Sequence, residues 1–494
     1  MLKKIGGVLA LVALCALSLF LLNCGSSSSR PSGLLYMLTQ GSNGLGNNVS
    51  SFAINFYTGN LTLINSNATT CPTAATVTNT NPCGLPVDIL LSPSDSQAFV
   101  LDQGVPCVVQ SGQCGSSPNG VAPSIYPYTV NSDGSLSSPG TAVNWTCIGP
   151  TGTACSSSNA YPDTASTMVR DAAGQFLFVI DEGVFPSPTT CPLVGRGVSS
   201  AGDATNFVGC PSISVFAMTN NSTTLTLVSQ SATYQSPFFL SKVPSALSPL
   251  TFTAPGASAS QELLFVTNNY DLCTIACLPQ SAPQDNTVSV YNVSSSGVLT
   301  EQAYSPYTVP AADPVSVLAV NTFLPQQTQG GIFVYVGQGG GVGQIYPFQL
   351  CVLQNAGCTA ADVNNNLMVP LTTCPSQSCN IPPSAVGSDP VAMLVDPTNN
   401  FLYVLSEGSN QVAGFKIATT GGTLGKLAPP SQPTGSEPVS MSLYPSLNNS
   451  GQFLYVSNSS SDNITGFTLG TTDGSMGNAI TVIAPASPSG LAAN

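Results

Sequence analysis

The sequence predicts an all-β protein, a seven-bladed β-propeller with four antiparallel strands in each blade. The main observation is a repeated phrase that starts at Pro390 and returns at Pro438. Each copy holds short runs of alternating apolar residues separated by Asn, Gly, Asp and Ser turns. A four-stranded unit cannot bury both faces of its own sheet, so the copies must pack around a common axis as blades.

The second strand of each copy, counted from the axis, is the strongest signal. It is rich in β-branched and aromatic residues, as strands buried between neighbouring sheets require. It recurs at Leu34–Leu38, Ala98–Asp102, Phe176–Asp181, Leu263–Asn268, Phe333–Gly337, Phe401–Ser406 and Phe453–Asn458. These recurrences predict seven blades.

A third strand follows each second strand, and a glycine turn often leads from it to the fourth. The third strands start at Val49, Ser124, Ile213, Thr287, Gln344, Gln411 and Asn463. Gly59, Gly134, Gly297 and Gly474 occupy the turns, where tight hairpins need a positive φ.

The first, innermost strand precedes the second in six copies. These strands start at Val87, Ser166, Pro249, Pro314, Pro390 and Pro438. The first copy lacks one, but Pro488–Asn494 has the same alternation of small and apolar residues. We therefore predict that the C-terminus supplies the innermost strand of the first blade and removes the free sheet edges. The alternative is a frayed tail.

The N-terminal residues predict export and attachment to a membrane. Residues 1–23 have the basic start and apolar stretch of a secretory signal, and Leu21–Gly25 resembles a bacterial lipobox with Cys24 as the lipidated residue. Residues 24–33 then form a flexible tether and residues 34–494 the propeller. The alternative is an uncleaved transmembrane anchor. Gly25 favours the outer membrane of the cell envelope, because it replaces an aspartate that retains some lipoproteins at the inner membrane.

Composition excludes several classes of function. The 21 acidic residues outnumber the 8 basic ones, which argues against nucleic acid, whose phosphates need clustered Lys and Arg. The sequence contains 0 histidines, so Ser-His-Asp and Cys-His catalysis are excluded. We expect one large domain that is monomeric.

Export makes disulfides the default state of the cysteines outside the signal and the lipid site. Pairing of sequence neighbours is one hypothesis, because sequence alone does not fix connectivity. The hypothesis pairs Cys71 with Cys83, Cys107 with Cys114, Cys147 with Cys155, Cys191 with Cys210, Cys273 with Cys277, Cys351 with Cys358, and Cys374 with Cys379.

Most of these pairs mark one face of the propeller. In an antiparallel blade, connections after the second and fourth strands emerge on one face, which we call the insertion face. Connections after the first and third strands emerge on the other, the hairpin face. All the pairs except that of Cys351 with Cys358 fall on the insertion face. Long connections on a rigid scaffold often carry binding sites, although these loops could equally serve as protection from proteolysis.

Carboxylates should line the channel mouth on the insertion face. Asp313, Asp389 and Glu437 each precede the proline of an innermost strand, and Asp163 lies near another. Such a ring could hold Ca²⁺ or Mg²⁺, or bind a cationic or polyhydroxylated ligand. The alternative is that an acid before proline only shapes the turn. No cofactor is otherwise implied.

The repeated phrase resembles the lactonase-like seven-bladed propellers, which include 6-phosphogluconolactonases. Phe401–Ile417 and Phe453–Leu469 carry the resemblance, which extends more weakly over residues 33–494. It implies the fold and a channel site with His, Arg or Glu. The family's Pro-Arg-His start of an innermost strand reads Pro390-Val391-Ala392 in this chain, so Arg170 and Glu182 are the remaining catalytic candidates, and neither lies at a matching motif position.

These observations favour a membrane-tethered propeller that acts as a binding or scaffold module outside the cytoplasm. Its ligand, a protein or a small molecule, would bind on the insertion face. The alternative is a lactone hydrolase that works in the channel, assisted by a metal ion at Asp313, Asp389 and Glu437.

Overall fold

The computed structural model has seven four-stranded blades around one axis, as the sequence predicts. It describes residues 31, 33–40, 47–68, 85–103, 109–110, 113–114, 123–144, 165–182, 211–219, 223–228, 230, 238–240, 242–271, 284–311, 313–323, 330–353, 358–371, 384–444, 452–484 and 487–494. The proposed signal and Cys24 therefore lie outside the described residues. Every strand pair in the blades is antiparallel.

Each blade has its strands in sequence order from the axis outward, except that blade 1 takes its innermost strand from the C-terminus. Blade 1 has Pro488–Ala493, Leu34–Thr39, Asn48–Ile54 and Leu61–Ala68, and blade 2 has Pro86–Leu91, Gln97–Asp102, Ser124–Thr129 and Val143–Asn144. Blade 3 has Ala165–Arg170, Phe176–Asp181, Ser212–Met218 and Leu225–Leu227, and blade 4 has Lys242–Phe252, Gln261–Asp271, Gln284–Val293 and Leu299–Glu301. Blade 5 has Pro314–Asn321, Ile332–Gln338, Gln344–Leu350 and Met368–Pro370. Blade 6 has Pro390–Val395, Phe401–Ser406, Gln411–Ile417 and Leu424–Pro433, and blade 7 has Pro438–Tyr444, Gln452–Asn458, Asn463–Leu469 and Met476–Ile483.

Shorter elements extend this pattern. Phe238–Phe239, Tyr307–Thr308 and Ser384–Ala385 each pair with the third strand of blade 3, 4 or 5. A small hairpin joins Val109–Gln110 to Gln113–Cys114. A one-turn helix, Ala360–Asn364, lies between the third and fourth strands of blade 5. In the part of the chain that the structure describes, no helix is long and apolar enough to span a bilayer.

The C-terminal strand closes the ring, which confirms the prediction and excludes a frayed tail. Pro488–Ala493 pairs with Leu34–Thr39 as the innermost strand of blade 1. At the end of this pairing, the Leu34 N–H donates to Asn494 Oδ1 at 2.9 Å, and the Asn494 N–H donates to the Leu34 carbonyl at 3.1 Å. The two ends of the propeller therefore hold each other in one sheet.

The hydrophobic core lies between neighbouring blades. Between blades 6 and 7, for example, Tyr403 and Leu405 pack against Leu454 and Val456, and all four side chains are 0 % exposed. Each fully buried side chain of this size stabilises the fold by about 1.5–3 kcal/mol relative to exposure. Because each blade buries its faces only against its neighbours, an open ring would expose two such faces.

In four of the blades, a tyrosine on the second strand donates a hydrogen bond to the neighbouring blade. Tyr403 of blade 6 donates its hydroxyl to the Gly474 carbonyl of blade 7 at 2.8 Å, and its pKa is raised first by burial, so the hydroxyl stays protonated. The equivalent bonds join Tyr36 to Gly134, Tyr335 to Gly422 and Tyr455 to Gly59. Blades 2, 3 and 4 have Phe99, Phe178 and Phe265 at this position, which cannot make the bond.

The glycine turns adopt the predicted backbone. Gly59, Gly134, Gly297 and Gly474 have φ values of 72°, 86°, 80° and 68°. A Cβ at Gly474 would lie 2.3 Å from the Phe401 ring of blade 6. These positions therefore require glycine both for the turn and for the close approach of two blades.

The largest difference between a predicted and an observed strand start is in blade 4. The innermost strand of blade 4 begins at Lys242, not at Pro249. Pro249 lies inside the strand, and Pro244 occupies the position of Pro314 in blade 5, since a register shift in the pairing with the second strand follows each of these prolines. An innermost strand has one edge outside the sheet ladder, where a proline can be tolerated, so Pro249 does not mark the start.

One predicted disulfide is confirmed. Cys351 and Cys358 are bonded, with an S–S distance of 2.00 Å, in the third-to-fourth connection of blade 5. Cys114 ends the small hairpin beside blade 2, but its proposed partner is not among the described residues. The other six predicted pairs stay predictions, because the cysteines that lie outside the described residues are Cys71, Cys83, Cys107, Cys147, Cys155, Cys191, Cys210, Cys273, Cys277, Cys374 and Cys379.

We predict that Tyr403→Phe lowers the free energy of unfolding by about 1 kcal/mol, because the buried Gly474 carbonyl loses its donor. Denaturant titration measures this change. Tyr304→Phe is the control, since Tyr304 is 54 % exposed and should have little effect. An equal loss of stability in both variants would contradict a specific link between blades.

Candidate functional site

Three of the predicted carboxylates lie at the channel end of the insertion face. Asp313, Asp389 and Glu437 precede the innermost strands of blades 5, 6 and 7. Their carbonyls accept hydrogen bonds from the N–H groups of the residues that follow the second strands, at 2.8, 2.9 and 2.8 Å. They occupy equivalent places in three consecutive blades. The fourth candidate, Asp163, lies outside the described residues.

The turn at these positions is held by the preceding blade. Asp313, Asp389 and Glu437 have φ values of 51°, 53° and 51°, in the region that favours glycine. The Glu437 N–H donates to Asn410 Oδ1 at 2.9 Å, and the Asp313 N–H donates to Asn286 Oδ1 at 3.2 Å. The acids thus do shape the turn before proline, as the alternative interpretation holds. Their backbone makes these bonds, so the carboxylates are available for other contacts.

The carboxylates of blades 6 and 7 form a cluster that we call the acidic mouth: Asp389, Glu407 and Glu437. Glu437 Oε2 accepts a hydrogen bond from Ser460 Oγ at 2.5 Å, and Asp389 Oδ1 accepts one from the Gly340 N–H of blade 5 at 3.0 Å. The pKa of Glu407 is raised by burial and then by the charges of Glu437 and Asp389. The three groups are therefore close enough to interact electrostatically.

Sequence reasoning missed Glu407, although a signal existed. Glu407 directly follows the second strand of blade 6, and Glu182 directly follows the second strand of blade 3. Burial also raises the pKa of Glu182. Aligning the ends of the second strands would have placed both glutamates at the insertion face. The acid-proline pattern marks only the starts of the innermost strands, so it does not indicate glutamates at the ends of the second strands.

The structure separates the two catalytic candidates. Arg170 ends the innermost strand of blade 3 and pairs with Leu177, whereas Glu182 lies beyond the opposite end of the same strand pair. The Arg170 guanidinium donates to the Asp171 carbonyl at 3.4 Å. At this hairpin-face end, burial and the nearby Asp171 raise the pKa of Glu262 to about 7. Arg170 and Glu182 therefore cannot act on the same reacting atoms.

The described carboxylates do not form a metal site. Among the described residues, no group of three or more His, Cys, Asp or Glu side chains could hold a metal ion. Ca²⁺ takes six to eight oxygen ligands, typically several from carboxylates. Asp313, Asp389 and Glu437 precede the innermost strands of three separate blades, and no such ligand set is found among them.

Inside the channel, side chains of one innermost strand bind the backbone of the next. This matters because the inner edge of each innermost strand has no strand partner. Six bonds between neighbouring blades share this arrangement: Ser489 to the Pro86 carbonyl, the Met168 N–H to Asp88, Ser245 to the Pro314 carbonyl, the Ala319 N–H to Ser248, the Leu491 N–H to Ser440 and the Ala493 N–H to Ser442. Polar side chains thus join blades on the axis side of the ring.

Asp88 is the ionisable group among these six links. Its Oδ2 accepts from the Met168 N–H at 2.9 Å and from Thr167 Oγ1 at 3.2 Å, both in blade 3. Burial raises its pKa to about 6, and the hydrogen bonds from Met168, Ile89 and Thr167 oppose this rise. Asp88 was not predicted from the sequence, because no proline follows it and it lies inside a predicted strand.

Comparisons with known proteins agree with the architecture. Residues 368–490 match the family described as lactonase, 7-bladed beta-propeller. The periplasmic gluconolactonase PpgL of Pseudomonas aeruginosa has a similar structure, with a TM-score of 0.52 and 15 % identity over 93 % of this chain and 98 % of its own. A protein from Lactobacillus plantarum matches with a TM-score of 0.49 and 14 % identity over 94 % and 99 % of the two chains. No curated protein matches the sequence.

The family match and the likeness to PpgL confirm the resemblance to lactonase-like seven-bladed propellers. The family match covers blades 6 and 7 and reaches into the closing strand of blade 1, the part with the clearest repeats. At 15 % identity, the likeness to the gluconolactonase shows the fold alone.

We predict that Asp88 makes the protein less stable at neutral pH than at mildly acid pH. Folding raises its pKa from 3.8 to about 6, so between these values the folded state binds more protons than the unfolded state. The free energy of unfolding should therefore fall as pH rises through this window. Denaturant titrations at several pH values should show a smaller fall for Asp88→Asn than for the unmodified protein.

Asp133→Asn is the matched control for this prediction. Hydrogen bonds from Ser135 lower the pKa of Asp133, so it titrates below the window. Its removal should leave the fall between pH 3.8 and about 6 unchanged. A pH profile that is the same for Asp88→Asn and the unmodified protein would refute the assignment.

Proposed function

We propose that the protein is an exported propeller, tethered to the cell envelope through a lipid on Cys24, that binds a ligand at the acidic mouth. The observation that carries this proposal is the clustering of Asp389, Glu407 and Glu437 at one end of the channel. Only 6 % of the residues are charged, and the pKa of Glu407 is raised by burial and by the charges of Glu437 and Asp389, so bringing these carboxylates together has a cost. Such strained groups are typical of functional sites.

The chemistry of the mouth favours a neutral ligand with several hydroxyl groups. Carboxylates accept charge-assisted hydrogen bonds from hydroxyls, and Ser460 already donates one to Glu437. Ser409, an exposed residue whose hydroxyl is hydrogen-bonded to Ser388, adds a further polar group beside Asp389. A phosphorylated ligand would bring further negative charge to three carboxylates and would be repelled. The name of the structural neighbour, a gluconolactonase, agrees with a sugar-derived ligand.

A protein partner on the insertion face fits the same surface. The second strands of blades 2 and 3 end at this face, at Asp102 and Asp181, and many more residues than a tight hairpin needs separate them in sequence from the third strands, which start at Ser124 and Ser212. Long connections around a rigid ring offer a broad surface for recognition. In this form of the proposal, the acidic mouth would receive a hydroxylated or amide-bearing group of the partner.

Calorimetric titration with glucitol, glucose, gluconate and spermidine tests the binding proposal. We expect a neutral polyol to bind more tightly than gluconate, and the double variant Asp389→Asn/Glu437→Gln to lose at least about tenfold in affinity, since one charge-assisted hydrogen bond is worth about 1.5–3 kcal/mol.

The matched control is Glu301→Gln, which removes one exposed carboxylate of blade 4 outside the mouth. It should bind like the unmodified protein. If spermidine binds and the polyols do not, the ligand class is a cation and not a polyol. Binding that does not change in the double variant would refute the mouth as the site.

Lactone hydrolysis is the second candidate function. It is favoured by the raised pKa of Glu407, because a carboxylate with a higher pKa is a better general base near neutral pH. Glu407 would remove a proton from a water molecule as the water oxygen bonds to the lactone carbonyl carbon. The protonated Glu407 would then give that proton to the ring oxygen as the bond between this oxygen and the carbonyl carbon breaks, which leaves the hydroxy acid. This chemistry uses neither histidine nor Arg170.

Release of acid from glucono-1,5-lactone, followed against the spontaneous reaction, tests this second candidate. If the protein is a lactonase, Glu407→Gln should lower kcat/KM by about 10²–10⁴-fold, the usual contribution of a general base. Glu301→Gln should retain full activity. A rate equal to the spontaneous rate in the unmodified protein would exclude the hydrolase and leave the binding module.

A further inference from the structure

The propeller's first strand begins at the hairpin face. Leu34 is the first residue of the second strand of blade 1, and second strands run from the hairpin face to the insertion face. The carbonyl of Gly33 accepts a hydrogen bond from the Ile54 N–H at 2.9 Å, and a Cβ at Gly33 would lie 2.7 Å from the Tyr444 ring. The chain is therefore fixed to the propeller from Gly33 onward, at the edge of the hairpin face.

This attachment leaves a short tether. Between Cys24 and Gly33 the chain can span at most about 30 Å. A second strand of six residues is about 20 Å long, which sets the height of a blade. To bring the insertion face to the membrane, the tether would have to cross this height and pass around the blade. The hairpin face reaches the membrane without such a path, because the chain joins the propeller at the edge of this face, at Gly33.

The hairpin face also presents an aromatic pair beside the tether. The third-to-fourth turn of blade 1 contains Phe56 and Tyr57, whose ring centroids are 3.8 Å apart. Tyr57 is 74 % exposed. The corresponding turns at 131–135, 294–298, 418–423 and 470–475 contain no aromatic residue. Aromatic side chains, tyrosine and tryptophan above all, are enriched at the boundary between lipid and water because one end is apolar and the other polar.

We propose that the hairpin face rests on the lipid surface, with Phe56 and Tyr57 inserted among the headgroups next to the tether. The proposal rests on the lipidation of Cys24 that the proposed function includes. The lipid supplies most of the attachment, and the aromatic pair sets the orientation.

This orientation has a consequence for access. If the hairpin face lies on the membrane, the insertion face and the acidic mouth of blades 6 and 7 point away from it. A soluble ligand or a large partner then reaches the mouth without competing with lipid headgroups. The opposite orientation would block the mouth.

Fluorescence quenching by lipids with brominated acyl chains tests this proposal on the full-length lipidated protein in phosphatidylcholine vesicles. Trp145 is the only tryptophan and is replaced by phenylalanine in all variants. Tyr57→Trp then reports on the hairpin face. Val342→Trp reports on the insertion face, since Val342 is 69 % exposed in the second-to-third connection of blade 5. We expect several-fold stronger quenching at position 57 than at position 342.

The possible outcomes test the lipid attachment and the orientation on the membrane separately. Mass spectrometry of the N-terminal peptide shows whether Cys24 carries a lipid, and its absence would overturn the tether and with it the orientation. A lipidated protein that is quenched equally at both positions, more at 342, or at neither position would overturn the orientation alone. Circular dichroism of each variant shows that the propeller is folded.

Discussion

The closure of the ring is the constraint on which the rest of the structure depends. Each blade buries its apolar faces only against its two neighbours, so an open ring would leave two faces in water. The chain solves this by building blade 1 from both ends, with Pro488–Ala493 paired to Leu34–Thr39. The cost of ordering the last residues is offset because they complete the core between blades 7 and 1, where Leu491 packs with Met37 and Tyr455. Blades 2 to 7 are each continuous in sequence and need no such device.

The same closure positions the functional features. It aligns the innermost strands so that Ser440, Ser442 and Ser489 join blade 1 to its two neighbours through backbone hydrogen bonds. It places the starts of the innermost strands at one face, where Asp389, Glu407 and Glu437 meet. Because the second strand of blade 1 begins at the other face, the chain enters the propeller there, at Gly33. One topological feature therefore sets the location of the mouth and of the proposed attachment point.

The sequence predicted the architecture well because the repeated residues are the ones that the geometry of a blade requires. Alternating apolar residues and turn glycines recur where each blade needs a buried strand and a positive φ, and the ring of seven follows. It predicted the site only in part. Asp389 and Glu437 were found because proline marks their position, but Glu407 and Asp88 depend on cross-strand and cross-blade neighbours that no local pattern encodes. Blade 4 was placed incorrectly at its start because Pro249 imitates the proline that opens other strands.

Hydrogen exchange of the last seven residues tests the closure most directly. The Leu491 and Ala493 N–H groups donate to Ser440 and Ser442 at 3.2 and 2.9 Å, so they are bound inside the channel. Mass spectrometry of peptides should show that residues 488–494 exchange as slowly as the innermost strand Pro438–Tyr444, through opening of the whole propeller. Exchange of this segment within seconds, while Pro438–Tyr444 stays protected, would show a free tail and contradict the account.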